Sequence, residues 1–206
     1  MKEMAAQMAA WIAAGALPEQ ARRWIDILWI VLCAVWLVGM LMTRQTVRRQ
    51  TGVSRIWQMG IVLLGAWLLF GRGTGIAWMD GAAFPVTTVI AMAGLATTLA
   101  GVMFAIWARV ILGANWSGMI TIKEGHTLVR RGPYRIVRHP IYTGLLIAWA
   151  GTALTIGSVR GILALPLFAF GFWLKTRTEE RFMLEKFGEE YLRYRHEVRA
   201  LVPFLF

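Results

Sequence analysis

The chain holds one cysteine in 206 residues, Cys33, and it lies inside an apolar run. A lone cysteine excludes an internal disulfide, and no zinc or thiol chemistry has the ligands it would need; no metal is expected. Cys33 reads as a small buried hydrophobe. Charge is scarce too: 16% of residues are charged, against about a quarter in soluble domains. Acid is scarcest, with 11 Asp and Glu against 22 Lys and Arg, for a net charge of +11. In a soluble chain that excess would suggest nucleic acid. Here the basic residues sit in the gaps between apolar blocks, which reads as topology and contact with anionic membrane lipid, so no nucleic-acid partner is expected. Met1–Leu17 lacks a compact basic region followed by a clean apolar core, so no cleavable signal peptide is expected.

What fills the chain instead is apolar: 58% hydrophobic residues and a mean hydropathy of +0.57. The long blocks predict an all-α integral membrane protein, one membrane domain over 1–206 with about five transmembrane helices. Residues 1–20 suit a short helix lying at the interface, ended near Pro18. Spans are expected at 24–43, 56–70, 84–108, 140–157 and 162–174. Arg44, Arg48, Arg49 and Arg55 follow the first span with no acidic residue, a cytoplasmic signature. The connector 109–138 repeats it, with Arg109, Lys123, Arg130, Arg131, Arg135 and Arg138 against Glu124 alone. Within it, the alternation over 120–129 suits a small hairpin, and Gly132-Pro133 signals a turn. Residues 71–83 carry no positive bias and read as exterior. The N-terminus is therefore expected outside and the C-terminus in the cytoplasm, in a cell (inner) membrane. Gly94 and Gly101 are seven apart on one face, a mark of close helix packing. The fifth span has only fourteen uncharged residues, 161–174, short of the roughly 20 that cross alone. It is expected to continue as one helix into 175–198.

Two polar stretches stand out. Arg135–Gly144 reads R-I-V-R-H-P-I-Y-T-G, with Pro140 suited to the first turn of a helix. His139 and Tyr142 share one face of that helix, and Gly144, Ala148 and Gly151 another, leaving a groove for a helix or ligand. From Lys175, apolar Leu184, Phe187, Tyr191, Tyr194 and Val198 fall three and four apart, one face of a helix outside the membrane. Four residues back, Glu180 continues that stripe. Arg177, three residues before Glu180, is close enough to pair with it. Glu179 lies about 100° around the helix. Singly, each has a plainer explanation: headgroup anchors for His139 and Tyr142, a solvated face for the two glutamates. Their combination at one membrane level points to a site.

The stretch L-V-R-R-G-P-Y-R-I-V-R-H-P-I-Y-T-G and, some thirty residues later, R-T-E-E-R-F-M-L-E-K-F-G-E-E-Y-L-R-Y resemble the isoprenylcysteine carboxyl methyltransferase family and related phospholipid methyltransferases. The resemblance covers about residues 125–203, ending in a V-P. It implies a membrane enzyme that uses S-adenosyl-L-methionine without a Rossmann domain; no G-x-G-x-x-G follows a predicted strand. By motif it implies that His139 and Tyr142 line the cofactor site, that Gly144 permits close approach, and that Glu179 and Glu180 bind its polar or cationic parts. Tyr134 and Arg138 are further members, and the cytoplasmic C-terminal helix covers the site. Arg177 and Glu180 are the candidate catalytic residues, Arg177 near the methyl acceptor. The implied partner is a lipid, or a prenylated small molecule or protein C-terminus. A carboxylate acceptor is ionised near neutral pH and needs no base, whereas a phospholipid amine must lose a proton, which Glu180 could take. A sterol-reductase-like enzyme using NADPH and a non-catalytic transporter or scaffold are the rival readings.

Overall fold

The computed structural model describes residues 17–41, 46–49, 52–113, 121–123 and 128–203. Its long elements are α1 (Leu17–Leu41), α2 (Gly52–Phe70), α4 (Thr88–Leu112), α5 (Pro140–Ile156), α6 (Val159–Phe187) and α7 (Glu189–Glu197); α3 (Ala77–Asp80) is a single turn. Three helices, at 18–40, 88–112 and 159–187, are long and apolar enough to cross a membrane; 56–70 and 140–156 are shorter apolar helices. Most of the interfacial helix expected at 1–20 lies outside the described residues, and residues 17–20 form the first turn of α1. Cys33 is exposed on α1 rather than buried. An exposed thiol on an apolar helix facing hydrocarbon behaves as one more small apolar side chain.

Two boundaries differ from the expected ones for local reasons. The third span begins at Thr88 because the Thr87 side chain accepts a hydrogen bond from the Ile90 amide (3.3 Å), capping the helix. It runs past 108 and takes Arg109 into its last turn. Arg109, expected in a solvated basic connector, is 5% exposed. Its guanidinium lies across α1, donating to the carbonyls of Gly39 (2.6 Å) and Gly113 (2.9 Å). Buried arginine survives because its donors reach carbonyl oxygens.

Of the hairpin expected over 120–129, residues 120 and 124–127 lie outside the described residues. Strand β2 (Thr121–Lys123) pairs antiparallel with β1 (Thr46–Arg49), Arg48 opposite Ile122 and Arg49 opposite Thr121. The two basic connections are thus joined at one end of the bundle. The opposite end is closed by Gly81 and Gly157, whose carbonyls accept from Val159 N (3.1 Å) and Ala83 N (2.8 Å). There the Asp80 carboxylate accepts from the Thr74 and Gly75 amides and sits 3.4 Å from Arg160.

α4 and α5 pack face to face through small residues. A Cβ built on Gly144 would stand 2.7 Å from Ala105 N and Gly101 O, so only glycine allows this approach. Gly144 therefore seats α4 against α5, the helix approach that the small-residue face allowed. Along the same seam Thr98 and Thr152 donate to the carbonyls four residues back, both at 2.9 Å. Trp29 Nε1 adds a bond to Thr152 Oγ1 (3.1 Å), tying α1 to the pair.

α6 is one helix of 29 residues through Pro166. At 1.5 Å per residue it spans about 43 Å, roughly 13 Å more than the hydrocarbon core. Its last two turns or so therefore project beyond the bilayer. The single helix expected over 175–198 is broken: Gly188 takes φ +48°, a left-handed backbone value that favours glycine, and α7 restarts at Glu189. The break turns Tyr191 and Tyr194 into the protein, where both are buried, while Leu184 stays exposed.

Candidate active site

The site forms where α5 begins and α6 leaves the apolar bundle. A 3-10 turn, Gly132–Arg135, delivers the chain to His139; Pro140 then occupies the first helical position, where its missing N–H leaves no bond unmade. His139 stands at the N-cap of α5 with φ −121° and ψ 60°, its side chain free of any capping bond, and is 9% exposed. Across from it, α6 presents Glu179 and Glu180 on adjacent positions.

His139 lies between these two carboxylates. Nδ1 is 3.4 Å from Glu179 Oε2, and Nε2 is 3.3 Å from Glu180 Oε1. A neutral imidazole would aim a lone pair at one of them; the imidazolium donates to both. Burial alone pushes its pKa down, but hydrogen bonding to Glu179 and Glu180 and their negative charge outweigh burial and raise it above the usual histidine value. Glu180 Oε1 also accepts from Arg138 Nε (3.0 Å) and Nη2 (2.6 Å), and Arg195 Nε stands 3.7 Å from Oε2. Glu179 accepts a short hydrogen bond from the Tyr142 hydroxyl. Tyr134 is buried beneath the site, with its phenol pushed above the ordinary range by burial and then by the Glu179 charge; its carbonyl accepts from Tyr194 OH (2.6 Å).

The titration has a consequence for stability. The folded pKa of His139 is raised above its unfolded value, so its contribution is fully present below the unfolded pKa of about 6.5 and is lost as pH rises through the folded pKa. Thermal melts across pH 5.5–9 are expected to show unfolding temperature falling through that window. In His139→Gln the decline should be flattened; an unchanged slope would place the titration elsewhere.

Arg177 does not join this cluster. Its guanidinium lies 5.2 Å from the centre of the Trp173 ring on an exposed face. The arginine that holds Glu180 comes instead from the segment just before α5, so Arg138 takes the place expected of Arg177. Local spacing on one helix allowed the pair, but Arg138 offers two near-parallel N–H donors already buried beside the carboxylate.

Three parts had no signal in the helical spacing. The first is a C-terminal strap. Arg138 N and His139 N donate to the carbonyls of Arg199 (2.7 Å) and Ala200 (3.0 Å), and Thr143 Oγ1 donates to Leu201 O (2.6 Å). Arg138 also donates to Arg195 O (3.1 Å) and Val198 O. The second is a column of near-parallel rings descending from the site: His139 on Tyr142 (5.7 Å), Tyr142 on Phe172 (4.5 Å), Phe172 on Trp149 (5.3 Å) and Trp149 on Phe168 (3.5 Å). The third is Lys175, whose ammonium lies 5.2 Å from the Tyr142 ring centre. Carboxylates, a guanidinium and aromatic faces in one cluster suit a ligand bearing both positive and negative groups.

These features define a class: a multi-pass helical membrane protein with a buried cluster of two carboxylates, a histidine and an arginine at the mouth of one helix. Residues 89–190 match the model of the phospholipid methyltransferase family. A probable protein-S-isoprenylcysteine O-methyltransferase of Oryza sativa subsp. indica is 31% identical over 119 residues, 56% of this chain and 62% of that protein. A methanethiol S-methyltransferase of Pseudomonas deceptionensis is 38% identical over 73 residues, 35% of this chain and 27% of that protein. A solved structure of the eukaryotic intramembrane Ras methyltransferase, isoprenylcysteine carboxyl methyltransferase, aligns with TM-score 0.47 and 22% identity over 74% of this chain and 51% of that one. Over its second half the chain is thus similar to membrane methyltransferases of the phospholipid and isoprenylcysteine types. It spans less than two thirds of the length of the curated relatives it matches.

Proposed function

We propose that this chain is a membrane methyltransferase that uses S-adenosylmethionine and methylates a carboxylate on an isoprenylcysteine-like acceptor. The observation that carries the reading is His139 held between Glu179 and Glu180 with Arg138 on the same carboxylate, inside the segment matching the family. When bound, S-adenosylmethionine supplies a methyl group activated by its positively charged sulfur. Glu179 and Glu180 would hold its cationic parts, Arg138 and His139 its carboxylate, and Tyr134 and Tyr142 would wall the site.

The residues themselves do the positioning. Methyl transfer is an in-line displacement, so orientation and exclusion of water do most of the catalytic work. The strap and the aromatic column close the site on two sides, which serves both. A carboxylate acceptor asks no proton of the protein, being ionised already. That favours it over a phospholipid amine: burial pushes the Glu180 carboxyl up, but hydrogen bonds and charge from His139 and Arg138 outweigh it and hold the pKa well below the usual range, which makes Glu180 a poor base for the amine's proton. The orientation belonging with this reading puts the site and both basic connections at the cytoplasmic face, with five spans formed by α1, α2, α4, α5 and the first part of α6.

The test is labelled-methyl transfer by the detergent-purified protein against N-acetyl-farnesylcysteine, phosphatidylethanolamine and methanethiol. Transfer to the farnesylcysteine analogue, lost in His139→Ala, is expected. Transfer to phosphatidylethanolamine or methanethiol alone would reassign the acceptor, and no binding of S-adenosylmethionine in several lipid conditions would sink the reading.

A further inference from the structure

A groove of about 630 Å³ opens between the start of α2 and the outward face of α6, lined by Trp57, Gln58, Trp173, Arg177, Thr178 and Arg181. Arg177 and Arg181 are four residues apart, hence one turn apart on one face. Both are exposed, and among the described residues no carboxylate pairs with either. The nearest acids in sequence, Glu179 and Glu180, are engaged by Tyr142, His139 and Arg138. Arg177 stacks over Trp173 at 5.2 Å, which leaves the in-plane N–H donors of its guanidinium directed away from the ring. On the floor, Gln58 Nε2 donates to Thr178 Oγ1 (3.3 Å) and ties α2 to α6.

The depth of the groove identifies its occupant. Trp57 and Trp173 are 71% and 45% exposed, the amphipathic rings expected where hydrocarbon meets headgroups. α2 follows directly on the basic strand β1, Thr46–Arg49, so the groove lies at the basic end of the bundle. There Arg177 and Arg181, one turn apart, offer guanidinium donors to a phosphate, and Leu174 with the apolar faces of α2 and α6 matches an acyl chain. We propose that this groove is a binding site for one anionic phospholipid, its phosphate held by Arg177 and Arg181 and its chain lying between α2 and α6. The site is separate from the His139 cluster and does not depend on which acceptor is methylated.

Native mass spectrometry of the delipidated protein, titrated with palmitoyl-oleoyl phosphatidylglycerol or phosphatidylcholine in detergent, tests this. Wild type is expected to retain one phosphatidylglycerol at least about tenfold more tightly than phosphatidylcholine. Arg177→Gln with Arg181→Gln should lose that preference, whereas Arg193→Gln, which removes an exposed cation outside the groove, should keep it. If the double variant does not fold, Gln58→Glu serves in its place, since a carboxylate in the groove should repel the headgroup. A preference unchanged in these variants, or absent in wild type, overturns the proposal. So does one-for-one displacement of the lipid by N-acetyl-farnesylcysteine, which would make the groove the acceptor's seat. S-adenosylmethionine binding, measured on the same samples, is expected to survive the double substitution and reports separately on the methyltransferase reading.

Discussion

Replacing Glu180 with alanine is expected to abolish methyl transfer and to lower stability by about 3–5 kcal/mol, the cost of leaving buried charges without their partner. Glu180 is 12% exposed and takes two hydrogen bonds from Arg138, itself 7% exposed, with His139 beside the same oxygen. Removing the carboxylate strands a guanidinium and an imidazolium together, and like charges so close repel. Glu180→Gln keeps the shape and one acceptor, so its loss of stability should be smaller while transfer remains low. Chemical or thermal unfolding, with the labelled-methyl assay on the same samples, separates the two effects. Arg177→Ala is the informative contrast. Its side chain is exposed and lies over Trp173, so stability should change by less than about 0.5 kcal/mol. Equal destabilisation by Arg177→Ala and Glu180→Ala would restore the intrahelical pair and refute the interhelical one.

Substituting Gly144 is expected to act through packing and not through a ligand. A Cβ there meets Ala105 N and Gly101 O at 2.7 Å and Ala105 Cβ at 2.9 Å. Two of those three atoms are backbone and cannot rotate aside, so α4 and α5 must separate. Gly144→Ala should cost about 1–3 kcal/mol, as overpacking does, and Gly144→Val more, since two further methyl groups enter the same seam. His139 sits at the head of α5, so the larger variant should also misplace the site. The discriminating readout is the alanine variant: a lowered unfolding temperature with S-adenosylmethionine affinity in the remaining folded protein unchanged. Lost affinity at an unchanged unfolding temperature would return Gly144 to the ligand.

Much of the site can be read from helical arithmetic. His139 and Tyr142 share a face because they are three apart, and the only paired acids between the last span and Gly188 are Glu179 and Glu180. Sequence spacing says which residues leave a helix together; it says nothing about what stands opposite. That is why Arg177 suggested itself over Arg138: the first is a neighbour along α6, whereas the second becomes one only when α5 packs against it. Gly144 was ambiguous for a related reason. A small residue allows close approach, but the sequence does not say whether helix or ligand approaches. The break at Gly188 was signalled by the glycine itself, yet the helix formers on both sides argued for continuity, and burial of Tyr191 and Tyr194 decided the matter. The pairing of β1 with β2 joins segments over seventy residues apart, beyond any local pattern.

The strap has a consequence in time. Arg138 and His139 take their last backbone partners from Arg199 and Ala200, and Thr143 takes one from Leu201. During synthesis His139 and Glu180 are both made before these residues. A nascent chain can therefore insert α5 and the apolar part of α6 while Arg138 still lacks the carbonyls that fix it. Ligand binding should be switched on only when the segment through Leu201 docks, which makes a late and local event the gate between an inserted protein and a working one.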